Sequence, residues 1–303
     1  MIAFLFAGQG AQYPGMGAAL CASSPAARDV ALRVSEAAGL DIPSVFEHAT
    51  AEQLQRTDIA QPAIFALSAA GLAAALERGI KPDCVAGFSL GECTALYAAG
   101  MLGLADTVRL ITLRGALMQR ASDERPGAMY AVIGLDTEKL EQICADTTGY
   151  VRPVNYNCPG QCVIAGEAEA AAQTAEAAVA AGAAKAVKLQ VAGAFHSELM
   201  RSAAVDFERE LAGYAFAPAA VPLYSDVTAE PLDAAPAGMP AYLARQMMSP
   251  VRFEQIVRNM LAAGVDTFIE FGPGRTLSGF VKRVSREARV FSVDKPEDLE
   301  RLL

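Results

Sequence analysis

Apolar and polar positions recur along this chain with two periods, and each change of period predicts a change of element. Ile2 to Phe6 is a continuous apolar run of strand length, followed by a loop rich in glycine and glutamine. Pro25 to Ala38 and Ala63 to Arg78 carry apolar residues at helical spacing. Pro82 to Phe88 predicts a short strand, and Cys93 to Ala99 and Ala105 to Ala121 predict helices. Glu124-Arg125-Pro126-Gly127 reads as a linker. Past the linker the pattern shortens. Strands are predicted over Ala128 to Gly134, Val151 to Tyr156, Gln161 to Ala165 and Ala186 to Gln190, with helices over Thr137 to Asp146 and Glu167 to Ala181. Longer elements then resume: helix Leu199 to Gly213, strand Val221 to Ser225, helices Pro240 to Met247 and Phe253 to Ala263, strand Thr267 to Phe271 and helix Arg275 to Arg286.

The middle stretch runs strand-helix-strand-strand-helix-strand, the ferredoxin-like order. The expected fold is α/β: a large domain with a parallel sheet over 1–126 and 192–303, and a small ferredoxin-like domain inserted over 127–191. At 303 residues, 53% hydrophobic and 19% charged, the chain suits a compact globular fold and not a disordered one. No apolar run reaches membrane-spanning length without polar interruption, and the N-terminus reads as a first strand, not a signal peptide. A net charge of −9 argues against nucleic-acid binding. The six cysteines form no Cys-x-x-Cys pair and read as reduced thiols without a metal, consistent with a cytoplasmic protein, although Cys158 and Cys162 flank a turn that brings them near each other.

Candidate chemistry centres on Gly87-Phe88-Ser89-Leu90-Gly91-Glu92, a Gly-x-Ser-x-Gly between a predicted strand and a predicted helix. This is the sequence form of a nucleophile elbow, which makes the large domain α/β-hydrolase-like. The tight turn needs small flanking residues, and the Leu90 backbone N–H points from a helix N-terminus toward an oxyanion formed beside Ser89. A serine nucleophile needs a base, and the chain has two histidines, His48 and His196. His48 sits at a polar helix end and reads as solvated. His196 follows a small-residue loop after a strand, Ala192-Gly193-Ala194-Phe195, where catalytic side chains are displayed; the alternative is a buried histidine bonded to backbone. Arg114 shares a helix face with Leu110, Ile111, Leu117 and Met118, so its guanidinium is expected inside. Its anion is either a distant structural carboxylate or a substrate carboxylate.

Several motifs together resemble the malonyl-CoA:acyl-carrier-protein transacylase family. They are Gly8-Gln9-Gly10-Ala11-Gln12, Gln61-Pro62-Ala63, the elbow, Arg114-Gly115 through Met118, Pro153-Val154-Asn155-Tyr156-Asn157, Gly193-Ala194-Phe195-His196-Ser197, Ser249-Pro250-Val251-Arg252 and Glu270-Phe271-Gly272-Pro273-Gly274, in family order nearly end to end. The resemblance implies a ping-pong transfer of a malonyl group from malonyl-CoA to a carrier-protein thiol, with a CoA thioester as substrate and no bound cofactor. It implies Ser89 and His196 as a dyad, Gln9 and Leu90 as oxyanion donors, Arg114, Met118, Asn157 and Phe195 as substrate-binding, and a backbone carbonyl at Arg252 orienting His196. Phe88 stands where the family usually has histidine. Phe195 matches the malonyl-type sequence and is otherwise plain core packing. Carrier proteins are acidic, so basic Lys282 and Arg286, four apart, are either a docking face or a solvated one. A monomer is expected, with an acyl-thioester hydrolase or a polyketide-pathway acyltransferase as the rival activities.

Overall fold

The computed structural model describes residues 1–191 and 193–302, so the expected domain boundary at residue 192 falls outside the described residues. Its strands are β1 (Ile2–Phe6), β2 (Cys84–Gly87), β3 (Gly127–Ile133), β4 (Val151–Cys158), β5 (Gln161–Glu167), β6 (Lys185–Lys188), β7 (Leu223–Tyr224), β8 (Thr267–Phe271) and β9 (Arg289–Val293).

Five of them form a wholly parallel sheet in the order β7-β2-β1-β8-β9. A parallel strand covered on both faces needs apolar residues throughout, which is why β1 reads as an unbroken run. Alternate residues of β1 face opposite layers. Phe4 and Phe6 join the core beneath helix Thr57–Glu77, while Ala3 and Leu5 pack with helices Phe253–Ala262 and Thr276–Val284. Register pairs Phe6 with both Gly87 and Phe271, so the carboxyl ends of β1, β2 and β8 finish side by side. Open parallel sheets place their ligand sites at that edge.

The other four strands form an antiparallel sheet in the order β4-β5-β3-β6. One face, with Ala128, Val132 and Ile164, packs under helices Thr137–Asp146 and Ala168–Ala180. The other face, with Met129, Ala131, Val163 and Ala165, joins the main core. Two register shifts bend β4, and its edge pairs with the segment at residue 251: the Val251 N–H donates to Val154 O and the Tyr156 N–H to Val251 O, both at 2.8 Å.

Several boundaries differ from the sequence expectation. The helix expected from Ala63 begins at Thr57, because Pro62 is accommodated inside it. The helix expected over Arg275 to Arg286 ends at Val284, and β9 follows as an edge strand that the periodicity did not reveal. Helix Thr57–Glu77 is, by length and a mean hydropathy of 1.7, apolar enough to cross a membrane, with Gln61 and Ser68 as the polar interruptions expected of such a run. Its apolar residues have a local destination, since 83% of that window is buried in the fold.

Candidate active site

β2 delivers the chain to the elbow, and two close approaches explain its glycines. A Cβ at Gly87 would lie 1.8 Å from the Gly91 carbonyl carbon, and a Cβ at Gly91 would lie 2.0 Å from Phe6 O. Between them Ser89 takes φ 56° and ψ −102°, a conformation that costs a non-glycine residue on the order of 1–3 kcal/mol and persists only where the surroundings impose it. The Ser89 N–H donates to Asp226 Oδ2 at 2.7 Å, which fixes the main chain there. Helix Leu90–Ala98 starts at the next residue, so the Leu90 N–H has no intrahelical acceptor.

His196 is 2% exposed and also has a positive φ, 59°. Its Nε2 lies 2.7 Å from Ser89 Oγ. Its Nδ1 faces two main-chain carbonyls, Gln246 O at 3.1 Å and Ser249 O at 3.0 Å. Two acceptors at Nδ1 assign the proton to that nitrogen and leave Nε2 free to accept. Burial, and next the charge of Arg114, lower the His196 pKa to about 4, against the opposing pull of the two carbonyls. The imidazole is therefore neutral at pH 7, the form a general base requires.

The carbonyl expected at Arg252 is not the one that orients the ring. Arg252 caps helix Phe253–Ala262; its N–H donates to Asp226 O and its carbonyl accepts the Ile256 N–H, so it is committed elsewhere. Ser249, three residues earlier, and Gln246 hold the ring instead.

Arg114 is 1% exposed, on helix Leu104–Glu124. Its NH2 donates to Ser89 Oγ and to Gln246 Oε1, and its NH1 to Gln61 Oε1, each at 3.2 Å. Nε has no partner. Every hydrogen-bond acceptor it meets among the described residues is neutral, and burial lowers its pKa. A buried guanidinium without a directly bound anion is a costly arrangement, and a ligand carboxylate is the group that would complete it.

Gln9 lies on the loop after β1; its amide donates to Thr57 Oγ1 at 3.3 Å and its side-chain oxygen accepts from Gln61 at 3.2 Å. Met118 is buried against the same Gln61 amide. Phe195 is 6% exposed and packs in the main core. Asn157 lines a cavity of about 180 Å³ together with Asn155, Gln9 and Phe88, and both asparagine Oδ1 atoms are buried without partners. Phe88 packs on Phe253 and Phe280, with ring centroids 5.7 and 6.3 Å away. The structure thus brings Ser89, Leu90, His196, Arg114, Gln9 and Met118 together, with Asn157 on the adjoining cavity wall.

Lys282 and Arg286 do not share a helix face, because the helix stops at Val284. Lys282 Nζ is occupied by the carbonyls of Arg286 and Ala288 at 3.3 and 2.7 Å, closing the helix end, and Arg286 is exposed beyond it. Sequence reasoning gave no role to Gln246, Glu92 or Asp226. Glu92 stands in the elbow hexapeptide, where a first-turn acid is ordinarily a solvated helix cap, yet it is fully buried. Gln246 and Asp226 carry no local sequence signal. Among the described residues no group of three or more His, Cys, Asp or Glu side chains is placed to hold a metal.

The family described as acyl transferase domain matches residues 3–295. The malonyl CoA-acyl carrier protein transacylase of Bacillus subtilis is 42% identical over 302 residues, spanning 99% of this chain and 95% of that one. An MCAT structure from Streptococcus pneumoniae superposes with a TM-score of 0.93 at 38% identity, covering 100% of both chains. A malonyl-transacylase solved in complex with a holo type II polyketide acyl-carrier protein superposes at 0.95, with 36% identity over 99% of this chain and 97% of that one.

Proposed function

The chain belongs to the acyl transferase domain family, and from that premise we propose how it works as an [acyl-carrier-protein] S-malonyltransferase, through an ester on Ser89. One observation carries the reading: Ser89 Oγ lies 2.7 Å from the neutral Nε2 of His196 and 3.2 Å from the buried Arg114 guanidinium.

Malonyl-CoA enters with its free carboxylate on Arg114, which otherwise has only neutral acceptors. His196 takes the Ser89 hydroxyl proton as Oγ bonds to the thioester carbon. The backbone N–H groups of Leu90 and Gln9 meet the oxyanion. The carbon–sulfur bond breaks and the CoA thiolate leaves with the proton from His196. In the second half the carrier-protein thiol gives its proton to His196, attacks the ester, and Ser89 recovers its proton. Met118 and Gln61 back the guanidinium. Asn157 and the cavity beside Phe88 are read as the channel for the thioester arm. We read 127–191 as an inserted ferredoxin-like unit, on the sheet order β4-β5-β3-β6, and the parallel sheet with its elbow as α/β-hydrolase-like.

Intact-mass and peptide mapping after mixing with malonyl-CoA tests this. The expected result is a malonyl adduct on Ser89, lost in Ser89→Ala and discharged by carrier protein. An adduct on Cys93, or free malonate released as fast without carrier as with it, would overturn the assignment.

A further inference from the structure

Behind Ser89 lie two carboxyl groups that the transfer chemistry does not use, Glu92 and Asp226. They are 0% and 1% exposed and converge on one amide nitrogen, Gln246 Nε2. Asp226 Oδ2 accepts the Ser89 N–H at 2.7 Å and Gln246 Nε2 at 3.1 Å. Glu92 Oε2 accepts the same Nε2 at 3.0 Å, and Glu92 Oε1 the Tyr242 hydroxyl. The remaining Asp226 oxygen, Oδ1, is buried with no N–H or hydroxyl donor among the described residues. Two buried carboxyl groups drawn to one amide nitrogen repel each other when both are ionised, and one retained proton relieves that repulsion.

The titratable groups around the pair are Arg114, Cys93 and Tyr242, with His196 across Gln246 and Ser89. Burial pushes the Cys93 thiol up to about 12 and the Tyr242 phenol well above its ordinary value, so both are neutral. His196 is neutral as well. Arg114 is then the one charged neighbour of the pair among the described residues. A pair with one proton carries a single negative charge and balances it; a pair with none overbalances it, and a pair with two leaves a bare buried cation.

We propose that Glu92 and Asp226 are positioning residues for acyl transfer: they hold one proton between them, and their single remaining negative charge anchors the Ser89 main chain and the Gln246 side chain while balancing Arg114. Gln246 in turn presents its carbonyl to His196 and its Oε1 to Arg114, so the pair acts on nucleophile, base and cation together. Burial raises both carboxyl pKa values, and the Glu92 charge raises that of Asp226 further, in keeping with a retained proton.

The shared proton makes each single amide variant a near-isosteric copy of the pair. In Glu92→Gln an amide N–H replaces the proton and Asp226 keeps the charge; in Asp226→Asn the roles exchange. The double variant Glu92→Gln/Asp226→Asn loses the charge. Difference infrared spectroscopy at pH 7 is expected to show one protonated-carboxyl band in the parent that both single variants remove. Loss in only one variant, or in neither, overturns the proposal. The kinetic arm rests on the Ser89 reading above. Each single variant is expected to acylate Ser89 within a few-fold of the parent, while the double variant loses about tenfold or more in kcat without a rise in the KM for malonyl-CoA. Additive losses, or a double variant at the parent rate, also overturn it. Should the double variant not fold, the infrared comparison of the single variants decides alone. Should Ser89 form no ester in the parent, the function reading fails and the infrared result still stands.

Discussion

The main-chain oxygen of Gln246 lies 3.1 Å from Nδ1 of His196. The side chain of the same residue reaches Arg114 at 3.2 Å, so one glutamine supports His196 by its backbone and Arg114 by its amide. The two duties are separable by mutation. Gln246→Ala keeps the carbonyl and removes the amide. A hydrogen bond to a charged group contributes about 1.5–3 kcal/mol, so kcat/KM for malonyl-CoA should fall by roughly ten- to a hundredfold. The pH profile should keep its shape. A shifted profile in steady-state assays would show that the carbonyl had moved as well.

Acylation should persist to unusually low pH. His196 must be neutral to accept the Ser89 proton, and it is neutral above its own pKa, which burial and Arg114 lower to about 4. The single-turnover rate of Ser89 acylation is therefore expected to stay level from pH 8 through the ordinary histidine value and to decline only toward pH 4. In Arg114→Ala one cause of the depression is gone, so the decline should begin at higher pH. Quenched-flow mass spectrometry across that range checks both; a parent profile falling near pH 6.5 contradicts the environment described.

Arg114→Ala should also exchange substrate preference. A malonyl carboxylate loses a charge-assisted, fork-shaped partner, whereas an acetyl group has no carboxylate to lose. The ratio of kcat/KM for malonyl- over acetyl-CoA is expected to drop by about a hundredfold. Equal losses on the two thioesters would assign Arg114 a purely structural part.

Two glycines make a matched pair for stability. Gly91→Ala places a methyl 2.0 Å from Phe6 O, at the junction of β1 and the elbow, and should destabilise by about 2 kcal/mol or more. Gly279→Ala lies on the exposed face of helix Thr276–Val284 with nothing within 4 Å, and should stabilise by about 0.5–1 kcal/mol. Urea titrations of the two variants are expected to move in opposite directions.

The basic C-terminal residues divide as well. Lys282→Ala removes the cation that closes a helix end and should lower Tm while leaving transfer to carrier protein intact. Arg286→Glu alters only an exposed charge, and if this face meets the acidic carrier it should slow transfer while sparing Ser89 acylation. Stopped transfer assays on both variants distinguish closure from docking.

Much of this was legible before any coordinates. Ser89 announces itself because its steric requirements, Gly87 and Gly91, are local in sequence. Arg114 does so because an arginine on an apolar helix face contradicts its own surroundings. His196 gains from scarcity, being one of two histidines. What stayed hidden depends on long-range contact or on atoms every residue possesses. The carbonyls that orient His196 belong to Gln246 and Ser249, and a carbonyl has no sequence signature; Arg252, the position expected to supply one, caps a helix instead. Asp226 reaches Ser89 across 137 residues. The start of helix Thr57–Glu77 was obscured by Pro62, which sequence rules treat as a boundary, and β9 by its place as a five-residue edge strand opening on Arg289.

The pairing of bent β4 with Val251 bears on how this protein can be recombined. Val251 is two residues from Ser249, whose carbonyl orients His196, and its own N–H and C=O are both taken by β4. The 127–191 segment is therefore not a cassette to be excised or exchanged at its linker. A graft that matched the connecting ends but not the curvature of β4 would leave two backbone groups near His196 without partners. A chimera assembled from domain boundaries alone would fold around a correctly placed serine and a misaimed histidine, so the crossover points that preserve activity are set by the path of one strand edge.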